Sequence, residues 1–248
     1  MSGSPPALTR MARPSGTYAM LAIDQREGLR AMMAPHQDRP VTDADLTRFK
    51  LEVIEALTPY ASAVLIDREL AWQQALDAGV VNPSCALIAA ADVLIPSADE
   101  LVARVEIDHE VVPAKVKAQG AVALKLLVLW RPGEAAEPRI AMVEEFVAIC
   151  RQTGLASVVE PVARAPRDGS GWDREAAIIA AAKELGDRGQ DLYKCEIPYY
   201  GAGPEARVRQ GCASLSRHVN GDWVVLSSGV KQDDFPRACL LYTSPSPR

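Results

Sequence analysis

Histidine is scarce: His36, His109 and His218 are the only three in 248 residues. None is spaced from another as metal ligands on one helix or hairpin are, so a zinc site built on several histidines is not expected. No G-x-G-x-x-G follows an apolar run and no G-x-x-x-x-G-K-[ST] occurs. Dinucleotide and nucleoside-triphosphate binding lose their main support, and no cofactor is expected. Long apolar runs are also missing: the best, 86–95, is cut by Asp92, too short to span a bilayer. The first sixteen residues are polar and proline-rich, without the apolar core of a signal peptide. Cysteine never occurs as C-x-x-C, and its odd count (Cys85, Cys150, Cys195, Cys212, Cys239) reads as reduced thiols in a cytoplasmic protein. Positive charge is in deficit, 27 Lys and Arg against 32 Asp and Glu, net −5, which argues against nucleic acid or an anionic membrane as partner.

What is present alternates. Short apolar runs at 18–24, 63–67, 86–90, 121–129, 156–161, 191–197 and 223–228 read as strands. They are apolar throughout, as buried parallel strands are. Between them lie amphipathic stretches. The segment 42–57 places Leu46, Phe49, Val53, Ile54 and Leu57 on one face, with Thr42 and Asp45 spaced as a capping box. The segment 137–153 is stopped by Gly154, 173–185 starts at Asp173 and ends before Gly186, and 204–219 is a further helix. Seven strands with helices between them predict an α/β fold with a parallel sheet, doubly wound or closed into a (β/α)8 barrel.

The polar residues sit where these strands end. Asp24 closes the first, Asp67 the second and Glu160 the fifth, while Ser227, Ser228 and Gly229 close the seventh. Two lysines lie inside apolar strands, Lys125 in the fourth and Lys194 in the sixth. In a barrel these positions gather at the C-terminal face, where active sites form. A buried lysine is costly unless it is paired or used. A desolvated amine near a second cation is nucleophilic at neutral pH, as attack on a ketone requires. Glu160, one strand away, is placed to shuttle protons for carbinolamine formation and C–C cleavage. This pattern points to a lysine-dependent, class I aldolase or a related carbonyl lyase.

Each residue also has a plainer reading. Asp24 begins Asp-Gln-Arg-Glu, which fits a helix cap, and Asp67 fits another. Lys125 with Glu160, or Lys194 with Glu160 or Glu196, fit buried ion pairs. The segment 227–229 fits a tight turn, and Cys195 a small core residue.

The segments LAIDQREGLR, ALTPYASAVLIDRE, ALKLLVLWRP, VVEPVARAPR, DREAAIIAAAKELGDRGQDLYKCEIPYYG and VVLSSGV together resemble the sulfofructosephosphate aldolase family. That branch of the class I aldolases also holds the tagatose 1,6-bisphosphate aldolases. The resemblance runs in order from about residue 16 to residue 235. It implies a (β/α)8 barrel without metal, with Lys194 as the Schiff-base lysine, Glu160 as the acid/base and Lys125 as a second active-site lysine. It places Asp24, Gln25 and Asp67 against the substrate, and Ser228 and Gly229 in an anion-binding loop. The implied reaction cleaves 6-deoxy-6-sulfofructose 1-phosphate to dihydroxyacetone phosphate and 3-sulfolactaldehyde. Tagatose 1,6-bisphosphate is the alternative substrate, and a non-catalytic barrel binding a sugar phosphate the alternative from another class. By analogy the parent protein forms a homo-oligomer.

The C-terminal stretch departs from the family pattern. Where the family continues with an eighth β/α unit, this chain reads Cys-Leu-Leu-Tyr-Thr-Ser-Pro-Ser-Pro-Arg. That stretch shows neither helical nor strand periodicity, and its Ser-Pro repeats oppose both. The expectation is therefore one incomplete barrel domain over 1–238, truncated before the eighth β/α unit, followed by a non-native tail at 239–248.

Overall fold

The computed structural model describes residues 6–227 and 229–243. They form two compact units. The first takes Met1–Leu126 and Ile149–Ser157, the second Leu127–Ala148 and Val158–Arg248.

The first unit begins with a short helix, α1 (Pro6–Met11), and strand β1 (Met20–Ala22). Helices α2 (Glu27–Met33) and α3 (Asp43–Leu57) follow, then β2 (Ala63–Ile66). A wide helical turn, Arg68–Trp72, runs into α4 (Gln73–Ala78). Next come β3 (Ala86–Ala90), β4 (Asp92–Ile95), β5 (Arg104–Ile107), α5 (Pro113–Ala118) and the start of β6 (Ala121–Trp130). Strands β1, β2, β3 and β6 pair in that order, all parallel. Met20 lies opposite Ala63, Ala63 opposite Ala86, and Leu87 opposite Ala121. Every residue of β2 is buried, which is why its sequence is apolar without alternation. The Thr42 hydroxyl accepts from Asp45 N, and Asp45 answers at Thr42 N, so the expected capping box starts α3. The buried face of α3 is Leu46, Lys50 and Ile54, one turn apart, while Leu57, expected on that face, is exposed.

The second unit holds the end of β6, most of α6 (Glu137–Thr153), β7 (Ala156–Ala163) from Val158 onward, and α7 (Arg174–Leu185). After them come β8 (Leu192–Glu196), a tight turn Pro198–Gly201, α8 (Glu205–His218), β9 (Asp222–Leu226) and α9 (Phe235–Thr243). Strand β7 pairs with β8 and β8 with β9, again parallel, with Leu192 opposite both Val158 and Asp222. Asp173 caps α7 by accepting from Glu175 N and Ala176 N.

The seven expected strands are all present. The structure adds one pair that sequence reading did not anticipate, β4 with β5, which are antiparallel. It also corrects the C-terminal stretch: residues 239–243 belong to α9, although no periodicity was expected there. Ala238 and Leu241 are buried three residues apart, a helical spacing that the following Ser-Pro repeats had masked. Residues 244–248 lie outside the described residues. Glu160 stands inside β7 rather than at its end, and Asp24 two residues beyond β1, because β7 runs longer and β1 shorter than their apolar runs suggest.

Candidate active site

In the second unit, the period of two along β8 puts Leu192, Lys194 and Glu196 on one face and Tyr193 and Cys195 on the other. The Lys194 Nζ lies 3.0 Å from Glu160 Oε1, with the two side chains only 9% and 5% exposed. That burial strengthens their interaction relative to a surface pair. Of the two partners open to Lys194 from sequence, it is therefore Glu160. Glu196 is engaged elsewhere: its carboxylate accepts from Ala163 N at 2.8 Å and from Arg174 at 3.1 Å. Cys195 is fully enclosed, and burial pushes its thiol well above the usual range, as befits a core residue rather than a nucleophile.

The turn after β8 is strained. Tyr199 and Tyr200 have φ of 55° and 51°, the left-handed region that side chains disfavour. Two contacts hold them there. Tyr199 N donates to Glu175 at 2.8 Å, and the Arg174 guanidinium lies 3.7 Å from the centre of the Tyr200 ring. Gly229 abuts the same ring: a Cβ there would fall 2.5 Å from it, and its φ of 78° itself calls for glycine. Val230 N donates to Ser227 O at 3.0 Å. Ser228 lies outside the described residues.

In the first unit, Lys125 is buried in β6 with its Nζ 2.6 Å from Asp24 Oδ2 and 2.8 Å from Asp92 Oδ2. Asp24 does not cap α2; the residue at that position is Arg26, with no side-chain cap. Gln25 is exposed and its neighbour Arg26 buried. Arg26 donates to Asp92 O at 2.8 Å and to Asp92 Oδ1 at 3.1 Å. Asp67 has no exposed surface. It accepts from Leu70 N at 2.7 Å, capping the turn Arg68–Trp72, and from Lys50 Nζ. Burial pushes the Lys50 ammonium below the usual lysine range, and Asp67 opposes that shift.

Sequence reading missed Lys50, Asp92 and Arg26. Lys50 carried a signal, since it falls midway between Leu46 and Ile54 on the apolar stripe of α3. Asp92 was visible only as the break in an apolar run, and Arg26 only as part of LAIDQREGLR.

The two lysines are held differently. Two carboxylates flank Lys125, Asp24 at 2.6 Å and Asp92 at 2.8 Å from its Nζ. Lys194 faces Glu160, a carboxylate able to take its proton and return it. Among the described residues no group of three or more His, Cys, Asp or Glu is placed to hold a metal ion. No described helix is long and apolar enough to cross a membrane.

A family model described as DeoC/LacD family aldolase matches residues 18–240. A relative named tagatose 1,6-diphosphate aldolase, from Listeria monocytogenes serotype 4a (strain HCC23), is 28% identical over 250 residues, covering 92% of this chain and 73% of the relative. Among solved structures, fructose-bisphosphate aldolase from Slackia heliotrinireducens DSM 20476 is similar with a TM-score of 0.65 at 17% identity, over 90% of this chain and 70% of that one. An archaeal fructose 1,6-bisphosphate aldolase matches at a TM-score of 0.51 and 15% identity, over 95% and 96%. At those identities the structural likeness speaks for the fold.

Proposed function

The chain belongs to the DeoC/LacD family of aldolases, and on that premise we propose that Lys194 forms a Schiff base with a ketose 1-phosphate and that the chain cleaves it to dihydroxyacetone phosphate and an aldehyde. The observation that carries this reading is the buried pair of Lys194 with Glu160, 3.0 Å apart on neighbouring parallel strands. Lys194, its proton passed to Glu160, attacks the C2 carbonyl. The carbinolamine loses water, with Glu160 as the proton donor, and leaves an iminium. A base removes the C4 hydroxyl proton, the C3–C4 bond breaks, and its electron pair flows into the iminium to give an enamine. The aldehyde departs. Protonation of the enamine at C3 and hydrolysis release dihydroxyacetone phosphate and restore the lysine.

Lys125 supplies a fixed positive charge to substrate oxygens, with Asp24 as its partner carboxylate and Gln25 beside it. Asp67 serves by support, since it is wholly buried against Lys50 and Leu70 N. Ser228 and Gly229 contribute to holding the phosphate.

The substrate favoured by the sequence motifs is 6-deoxy-6-sulfofructose 1-phosphate. The tagatose 1,6-diphosphate aldolases among the relatives favour tagatose 1,6-bisphosphate as the second reading. The two differ at C6, where a sulfonate carries one negative charge and a phosphate nearly two.

Borohydride trapping with dihydroxyacetone phosphate tests the mechanism. Intact mass should show one reduced adduct, peptide mapping should place it on Lys194, and Lys194→Ala should lose both adduct and turnover. A folded chain that traps nothing would overturn the Schiff-base reading. Parallel turnover of the two substrates then decides between them.

A further inference from the structure

We propose that Asp92 is the residue that positions Lys125, and that Arg26 locks Asp92 in the conformation that does so. The proposal rests on the assignment of Lys125 to the active site and goes beyond it to a residue outside every motif that carries that assignment.

A lysine side chain has four rotatable bonds, and a single salt bridge leaves its ammonium room to swing. Lys125 is fixed from two directions, by Asp24 at 2.6 Å and Asp92 at 2.8 Å. Asp24 is partly exposed, whereas the Asp92 side chain is only 1% exposed, so Asp92 is the deeper and better shielded anchor. The backbone sets the pair. Ala91 N donates to Lys125 O at 2.8 Å, tying the chain just before Asp92 to Lys125 itself. Asp92 then opens β4 opposite Ile107, and Asp108 N donates to Ala91 O at 2.9 Å. The β4–β5 pair thus clamps the segment that presents the carboxylate.

Arg26 removes the remaining freedom. Its guanidinium takes the main-chain oxygen of Asp92 at 2.8 Å and Oδ1 at 3.1 Å, which turns Oδ2 toward Lys125. Arg26 pairs with Asp92 at 3.1 Å and more distantly with Glu69 at 3.9 Å, while Lys125 pairs with Asp24 and Asp92. Removing the Asp92 charge takes from Lys125 its deeper carboxylate and from Arg26 its nearer one, and the Lys125 ammonium must move or be destabilised. A displacement of about 1 Å in a catalytic group is enough to cost ~100-fold in rate.

The test is a steady-state and double-mutant series on the full chain. Asp92→Asn should lower kcat by about 10- to 100-fold with KM changed less than kcat, while borohydride still traps Lys194. Asp92→Glu, which restores the carboxylate, should recover part of the loss. In a Lys125→Ala background Asp92→Asn should cost nothing further, because there is no ammonium left to place. Arg26→Gln, which keeps the Asp92 charge and removes its lock, should show the same kcat-weighted loss at smaller size, and it carries the test if Asp92→Asn does not fold. Losses of Asp92→Asn and Lys125→Ala that simply multiply, or an Asp92→Asn enzyme with unchanged kcat, would overturn the proposal. Failure of the wild-type chain to trap dihydroxyacetone phosphate would instead sink the aldolase mechanism, so the two failures are told apart.

Discussion

Lys50 and Asp67 face each other with no exposed surface on either side chain. Breaking such a pair costs more than forming it contributes, because the survivor is a buried uncompensated charge. Lys50→Met should therefore destabilise the chain by about 3–5 kcal/mol, and adding Asp67→Asn should recover much of that loss. The amide still accepts from Leu70 N, so the cap on the turn Arg68–Trp72 survives. Urea denaturation of wild type, single and double variants measures both steps. The pair also has a pH signature. Burial lowers the Lys50 pKa from 10.5, so between the lowered value and 10.5 the unfolded chain binds more protons than the folded one. Stability rises with pH wherever that holds. Wild type should gain on the neutral double variant as pH climbs through that window, and a gap that narrows would contradict the assigned shift. Residues of this kind are where sequence reading reaches its limit. Lys125 and Lys194 stood out because a lysine inside an apolar strand is anomalous on sight. Arg26 and Asp92 did not, because their partnership spans 66 positions and no local pattern encodes it.

Elements follow the same division. The seven parallel strands were legible because burial on both faces makes their sequences continuously apolar. The β4–β5 pair was not. Arg104 and Glu106 of β5 point to solvent, so only half the strand is apolar over a short length. Helices α1, α2, α4 and α5 have six or seven residues each, too few turns to establish a stripe. The capping box of α3 was legible because two residues three apart define it. Helix α8 carries a feature visible only in the fold: Gly211 lies against the turn that follows β8. A Cβ at Gly211 would fall 2.6 Å from Pro198 Cβ. In an open helix, Gly→Ala stabilises by about 1 kcal/mol. Here the added methyl meets a rigid ring in a strained turn, and overpacking of that kind costs about 1–3 kcal/mol. The clash wins, so Gly211→Ala should lower Tm and, because the turn adjoins the strand bearing Lys194, should also reduce turnover. A raised Tm in a thermal melt would show that the turn yields freely.

At the scale of the whole molecule, the stretch at 239–248 can be tested for whether it belongs to the fold. Its first five residues complete α9, and Leu241 and Tyr242 among them pack. Leu241 is buried, the Tyr242 hydroxyl donates to Trp223 O, and the two rings meet edge to face with centroids 4.4 Å apart. Trp223 is the second residue of β9, one position before Val224, which lies opposite Lys194. The helix thus braces the strand that pairs with the one carrying the proposed nucleophile. Removing residues 239–248 discards two large side chains, at about 1.5–3 kcal/mol of burial each, and one hydrogen bond at about 1 kcal/mol. For a chain of this length each 1 kcal/mol shifts Tm by about 2–4 °C, so the deletion should lower Tm by roughly 8–28 °C. A tail foreign to the fold would leave Tm unchanged when deleted. The same deletion assayed by borohydride trapping shows how far the brace reaches. If Lys194 still traps dihydroxyacetone phosphate below the lowered Tm, α9 stabilises β9 without shaping the site. If the adduct is lost while the chain stays folded, the packing of Tyr242 on Trp223 is part of what holds Lys194 against Glu160.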